Sequence, residues 1–160
     1  MAAKNEALRK LYDKIKGGNN AEFISVSKFY LLDFLTVNTD LLETLNTQQL
    51  AKGEYADGTS IQDGYSDMWQ RERVINGKQV AFVDLNYSGD FYESIEATPS
   101  LSTILFRSTD PKYKGIRLTK PNKLNRGLGG VLGLNQVNAT FIAFQGANVV
   151  RNNLIEYFSK

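Results

Sequence analysis

Cysteine and histidine are both absent from this chain of 160 residues. Without cysteine there is no disulfide, no thiolate metal ligand and no sulfur nucleophile. Without histidine there is no Ser-His-Asp relay, none of the usual zinc sites, and not the commonest general base. Carboxylates, lysine and tyrosine could still support catalysis, but the expectation is a protein that is not an enzyme and uses no cofactor. Long apolar runs are missing too. The run around Tyr30–Leu35 is interrupted by Asp33 and is far too short to span a bilayer, so no membrane partner is expected. Neither sign of charge dominates, with 19 Lys and Arg against 17 Asp and Glu. Overall charge therefore forces neither a nucleic acid nor a membrane surface on the protein. At the N-terminus, Lys4, Arg9 and Lys10 lead into an amphipathic stretch rather than a signal-peptide core, which sets a cytosolic expectation.

What is present suits one domain spanning 1–160. The chain is 42% hydrophobic and 22% charged, a globular composition. A chain of this length buries about 70% of its unfolded surface without staples. Leu8, Leu11, Tyr12 and Ile15 make one helical stripe between Asn5 and Lys16, closed by Gly17-Gly18-Asn19-Asn20. A second helix is predicted from near Ser25 or Ser27 through Leu45, with a break near Val37–Thr39 and Thr39 capping the continuation. Glycine and polar residues mark Lys52–Asp67 as a long exposed loop, a length that tends to be functional. Met68–Val74 reads as helix or strand. Asn76-Gly77 then signals a hairpin into a strand from Gln79 to Leu85.

The stretch Val83–Ile95 is the most informative. It reads as a strand end, a tight turn at Ser88-Gly89, and one helical turn. Ser88 is the predicted N-cap, Asp90 suits the helix dipole, and Phe91 and Ile95 enter the core together. Glu96–Ala97 and Leu101–Ser108 follow as short strands joined at Thr98-Pro99, the second buried on both faces. Lys114–Thr119 is a candidate edge strand between Pro111 and Pro121. Gly127–Gly133 lacks the lysine and hydroxyl of a phosphate loop and reads as a flexible connection. The helix after Asn135 carries an apolar stripe at Val137, Phe141, Phe144, Ala147, Leu154 and Phe158, with Gly146 a weak point. The fold class is therefore α+β: N-terminal helices, a small and mostly antiparallel sheet, and a long C-terminal amphipathic helix.

Three sets of residues invite a site. Asp57, Asp63, Asp67, Asp84 and Asp90 could in principle bind magnesium, but their spacing shows no convergence, so no metal is expected. Arg71 and Arg73 lie near Trp69. Lys112, Lys114, Arg117, Lys120, Lys123 and Arg126 form a run of six cations without an acid, the candidates for a DNA-facing or interface surface. The third set is Asp84, Ser88, Gly89, Asp90, Phe91, Ser94 and Ile95.

This last set resembles the "D-T-G-x-L-x-x-S-I" turn of small tail-completion and head–tail joining proteins of tailed bacteriophages. Ser88 stands for the threonine and Phe91 for the leucine. The polar segment Gly64–Trp69 with Arg71 and Arg73 ahead of it, and Gly130–Asn135 ahead of the last helix, are similar to segments of such phage proteins. The resemblance implies a structural virion component, a connector, neck or tail-completion protein, assembled as a homo-oligomeric ring in the host bacterial cytoplasm. Its implied partners are other head–tail or tail proteins, with passive DNA contact in a lumen. The alternative is a non-enzymatic binding or adaptor domain that contacts nucleic acid.

Overall fold

A computed structural model describes residues 20–61, 64–111 and 130–158, together with 9, 12, 13 and 17. Most of the expected N-terminal helix, the expected strand Lys114–Thr119 and the basic run 112–126 lie outside the described residues. The fold is α+β, with helices, one two-stranded antiparallel sheet and a long C-terminal helix. Helix α1 spans Asn20–Val37, α2 Thr39–Leu50, α3 Asp67–Ile75, and the single turn α4 Asp90–Glu93. Strands β1 (Ile95–Pro99) and β2 (Ile104–Ser108) pair, and α5 runs from Gln136 to Tyr157. Among the described residues no helix is long and apolar enough to cross a membrane.

The chain divides into two compact units. One takes in the described parts of Met1–Asn38, Pro99–Thr103 and Thr140–Lys160. Here α1 and the body of α5 pair antiparallel. A Cβ on Gly146 would stand 3.1 Å from Leu31 Cδ1 and 3.3 Å from Phe34. Farther along α5, the Tyr157 hydroxyl donates to Glu22 Oε1 at 3.4 Å. Leu35, Ile142, Leu154, Ile155 and Phe158 are buried in this unit. Gly146 is therefore a place where α1 side chains fill the space a Cβ would need, not merely a weak spot. Asn38 ends α1 where a break was expected, its Nδ2 donating to the Phe34 carbonyl at 2.7 Å.

The other unit takes in Thr39–Thr98 and Ile104–Ala139. Its core gathers Leu50, Ile61, Val83, Ile95 and Val131, with Tyr55, Tyr65, Leu85, Phe91, Tyr92, Phe106 and Leu132 against it. Leu42, Asn46, Gln49 and Leu50 follow the i, i+4, i+7, i+8 spacing of one helix face and form the buried side of α2. The two amides on that face have a purpose. Asn46 Nδ2 donates to the carbonyls of Val131 (3.2 Å) and Gly133 (2.6 Å), and Gln49 Oε1 accepts from the Asn135 N–H (2.7 Å). Asn135 Oδ1 then caps α5 by accepting from the Asn138 N–H at 2.9 Å.

Several expectations change here. Residues 130–133 are not a flexible connection: Val131 is buried, and the Ala56 N–H donates to the Gly130 carbonyl. Nor is the segment after α2 a simple exposed loop. Glu54 and Ser60 form an antiparallel bridge, Ile61 is buried, and Tyr55 and Tyr65 reach the core. Asn76-Gly77 ends α3 instead of turning a hairpin, and no strand forms over 79–85. On β2 one face is half-buried and the other, with Leu105 and Arg107, is exposed, so the strand is not covered on both sides. On α5 the expected stripe is buried only toward its end, at Leu154 and Phe158. Val137, Phe141, Phe144 and Ala147 are exposed, while Ile142 and Gly146 turn inward. Close passage of α1 at a glycine outweighed the size of the phenylalanines.

Replacing Gly146 with leucine should destabilise the protein by about 1–3 kcal/mol despite the better helix propensity, because the site has no room for added carbons. A urea titration followed by far-UV circular dichroism reads this directly.

Candidate functional site: a buried arginine–aspartate hub behind α3

The irregular backbone of 79–86 has no sheet partner, so its polar groups need side chains. Arg73 supplies them. It sits on the inner face of α3 and is 2% exposed. Its Nε donates to the Gln79 carbonyl at 2.8 Å and one terminal nitrogen to the Asn86 carbonyl at 3.1 Å. The other donates to both carboxylate oxygens of Asp84, each at 3.0 Å. The guanidinium also lies 4.2 Å from the centre of the Tyr65 ring, a cation–π contact.

Asp84 gathers the rest. Its carboxylate accepts from the Tyr65 hydroxyl (2.7 Å), Gln79 Nε2 (2.7 Å) and the Asn86 N–H (3.0 Å). Its own carbonyl accepts from the Tyr92 hydroxyl at 2.5 Å. Leu85, between the Asp84 side chain and the Asn86 N–H, is held at a positive φ of 58°. That conformation is uncommon for leucine and persists where its surroundings over-determine it. Here the Asp84 turn and the packing of Leu85 on the core do so.

The electrostatics follow from this geometry. Burial opposes ionisation of Asp84 and is the largest single influence. The donors Gln79, Asn86 and Tyr65 and the Arg73 charge together outweigh it, and the carboxyl is held below its ordinary value. The Tyr65 hydroxyl is pushed up to about 12, first by burial and then by its bond to Asp84. Tyr92 is raised as well, by burial and the nearby Asp84 charge. The hub is thus an ionised pair surrounded by neutral tyrosines at neutral pH.

The expected motif residues divide between three places. Asp84 enters the hub. Phe91 and Ile95 enter the core together, as expected. Asp90 and Ser94 line a cleft of about 440 Å³ with Thr109, Asp110 and Pro111. The cap at this turn is Gly89, in a left-handed conformation at φ 99°, not Ser88; the Ser88 hydroxyl donates to the Asp90 carboxylate at 2.7 Å instead. Only glycine adopts that φ at little cost, which takes the cap position from Ser88. Asp57 accepts from Thr59 in its own turn, and Asp67 begins α3. Asp63 lies outside the described residues. Among those described, no group of three or more acidic side chains could hold a metal. Lys112, Lys114, Arg117, Lys120, Lys123 and Arg126 also lie outside, and Arg73, read from sequence as a surface cation, is buried.

No protein-family model, no curated protein and no solved structure matches this chain. Its site must therefore be understood from its own residues. What the hub holds in place is α3, whose exposed residues are mixed: Met68 is 72% exposed, Val74 62% and Ile75 80%, beside exposed Asp67, Gln70, Arg71 and Glu72. Trp69, half-exposed at one flank, meets Tyr87 edge-on at 5.5 Å, and the Tyr87 hydroxyl donates to Glu72 at 3.0 Å. Tryptophan, tyrosine, methionine and arginine are the residues enriched where proteins dock. The sequence carried one overlooked clue to the hub: a carboxylate within the apolar run Val83-Asp84-Leu85 requires a buried donor or cation.

Asp84→Asn should cost about 3 kcal/mol, because it leaves the buried Arg73 charge uncompensated. The pH dependence has a definite sign. A carboxyl lowered on folding contributes fully above its ordinary 3.8, and that contribution disappears as pH falls through the lower folded value. On the alkaline side, Tyr65 contributes below its ordinary 10.0, and the contribution disappears as pH rises through about 12. Unfolding titrations at several pH values should show the acid-side loss in the wild type and a shallower one in Asp84→Asn.

Proposed function

We propose that this chain is a non-enzymatic structural protein that works by assembling with other proteins. Its setting is a tailed-phage virion, at the head–tail junction or the end of the tail. The carrying observation is the set of exposed apolar side chains Met68, Val74 and Ile75 among the polar ones of α3, presented by a helix that the Arg73–Asp84 pair pins from behind. A preorganised helix loses less on binding than a mobile one, which favours its use as a contact surface. The phage setting rests on the resemblance of Asp84, Ser88–Phe91, Ser94 and Ile95 to the turn of tail-completion and head–tail joining proteins. In that setting the partners are further copies in a ring and neighbouring head–tail or tail proteins. Assembly takes place in the host bacterial cytoplasm, and no cofactor takes part.

A second reading has its own observation. Six cations and no acid between Lys112 and Arg126 favour an adaptor domain that touches nucleic acid. Contacts from all six would give a logarithmic salt slope of about −5.

Negative-stain microscopy across a concentration series, with mass measured in parallel, separates these readings. Rings with a lumen, lost in Ile75→Glu without loss of fold, are expected. A strictly monomeric protein whose DNA affinity falls with that salt slope would replace the assembly reading with the adaptor one.

A further inference from the structure

Two neighbouring residues at the end of α3, Asn76 and Gly77, can react with each other. An asparagine side-chain amide is open to attack by the backbone nitrogen of the next residue. Glycine in that place has no Cβ to shield its nitrogen and reaches the backbone angles the attack needs. Asparagine counts among the thermolabile residues. No other asparagine in the chain precedes a glycine. Both residues are exposed, so water reaches them.

The turn that closes α3 keeps both reacting groups out of the reacting geometry. On the nucleophile's side, the Gly77 N–H donates to the Val74 carbonyl at 3.0 Å and the Lys78 N–H to the Arg73 carbonyl at 2.8 Å. With Gly77 at a φ of 66°, these are the two bonds of a Schellman closure. On the other side, Asn76 Nδ2 donates to the Glu72 carbonyl at 2.8 Å and lies 3.3 Å from both Glu72 Oε1 and the Tyr87 hydroxyl. Ring closure also requires the Gly77 nitrogen to eclipse Cβ of Asn76. At a ψ of 14° it comes close to eclipsing the Asn76 nitrogen instead.

We infer that Asn76-Gly77 is a latent deamidation site, released only when the C-terminal turn of α3 opens. In the opened turn the Gly77 nitrogen gives its proton to hydroxide and bonds to Asn76 Cγ. The Cγ–Nδ2 bond breaks and ammonia leaves. Water then opens the five-membered imide. Breaking the bond between Cγ and nitrogen gives aspartate, and breaking the backbone C–N bond gives isoaspartate, with the chain running through Cβ and Cγ. Water is the sole co-reactant, and nothing is oxidised or reduced.

The product does not fit the turn it came from. A carboxylate at 76 stands four residues after Glu72 on one helix, a like-charge pair. It also sits at the helix end where negative charge is disfavoured. It has no N–H to return to the Glu72 carbonyl. Isoaspartate further adds a carbon to the main chain ahead of Gly77, which shifts the Gly77 and Lys78 bonds out of register. Tyr87 borders the same point, its hydroxyl donating to Glu72 and its ring meeting Trp69. Opening the turn is reversible, whereas deamidation changes the end of α3 permanently.

Peptide mapping by mass spectrometry tests the inference on the full chain, aged in mildly alkaline buffer both folded and in guanidinium. In guanidinium, Asn76 should convert to aspartate and isoaspartate faster than any other asparagine. In the folded wild type its conversion should be at least about tenfold slower. Folded Glu72→Ala and Tyr87→Phe each remove an acceptor from the Asn76 amide, and both should convert faster than the folded wild type. Two variants guard against one of them failing to fold. Equal rates in the folded and unfolded wild type overturn the inference. So does a faster reaction at another asparagine in guanidinium, or a rate unchanged from wild type in the folded variants.

Discussion

A guanidinium with almost no access to water must find an acceptor for each of its donors, and that constraint on Arg73 organises the larger unit. Its three nitrogens reach Gln79, Asn86 and Asp84, which fixes the path of 79–86 against α3. Tyr65 and Tyr92 are drawn in by the same carboxylate and carbonyl, and both rings join the apolar core. Desolvating such a pair costs about as much as the attraction returns, so its contribution is geometry more than net stability. Once the pair is formed, removing either partner leaves a buried charge behind. The rest of the segment inherits its shape from that penalty.

The same solution appears at α2. Asn46 and Gln49 occupy buried helix positions that would ordinarily hold leucine, and they hydrogen-bond the chain at 131–135. Both clusters answer one shortage. With two strands in the sheet, much of this unit's backbone has no ladder, and amide and guanidinium groups take the place of one. The helical unit has the opposite character. Among its described residues, backbone bonds run within α1 and α5, and Ile24, Phe29, Val37, Phe141 and Phe144 stand exposed.

Much of this was legible in the residues. The break at Asn38, the helix after Asn135, the short strand pair and the joint entry of Phe91 and Ile95 into the core follow from local spacing. The hub did not show itself, because Arg73 and Asp84 are eleven residues apart and each alone resembles an ordinary surface charge. Asn-Gly misled for a related reason: it closes helix α3, and the chain after it is held by Arg73 at the Gln79 and Asn86 carbonyls instead of by a partner strand. On α5 the direction of the stripe was read correctly at Leu154 and Phe158 and not at Phe141 and Phe144. Phe141 and Phe144 outrank Ile142 and Gly146 in size, yet a glycine admits a neighbouring helix where a phenylalanine cannot. The motif Asp84–Ile95 was legible as a turn with core anchors, whereas its aspartate acquires a role only through Arg73, Tyr65 and Gln79.

The most direct test of this account is native-state hydrogen exchange on the wild type and Asp84→Asn. If the pair pins α3, the amides of α3 and of 79–86 should lose protection together in the variant, while those of α1 and the body of α5 keep theirs. Unchanged protection in α3, or an equal loss across every helix, would contradict the claim that this one buried pair sets the presentation of the α3 surface.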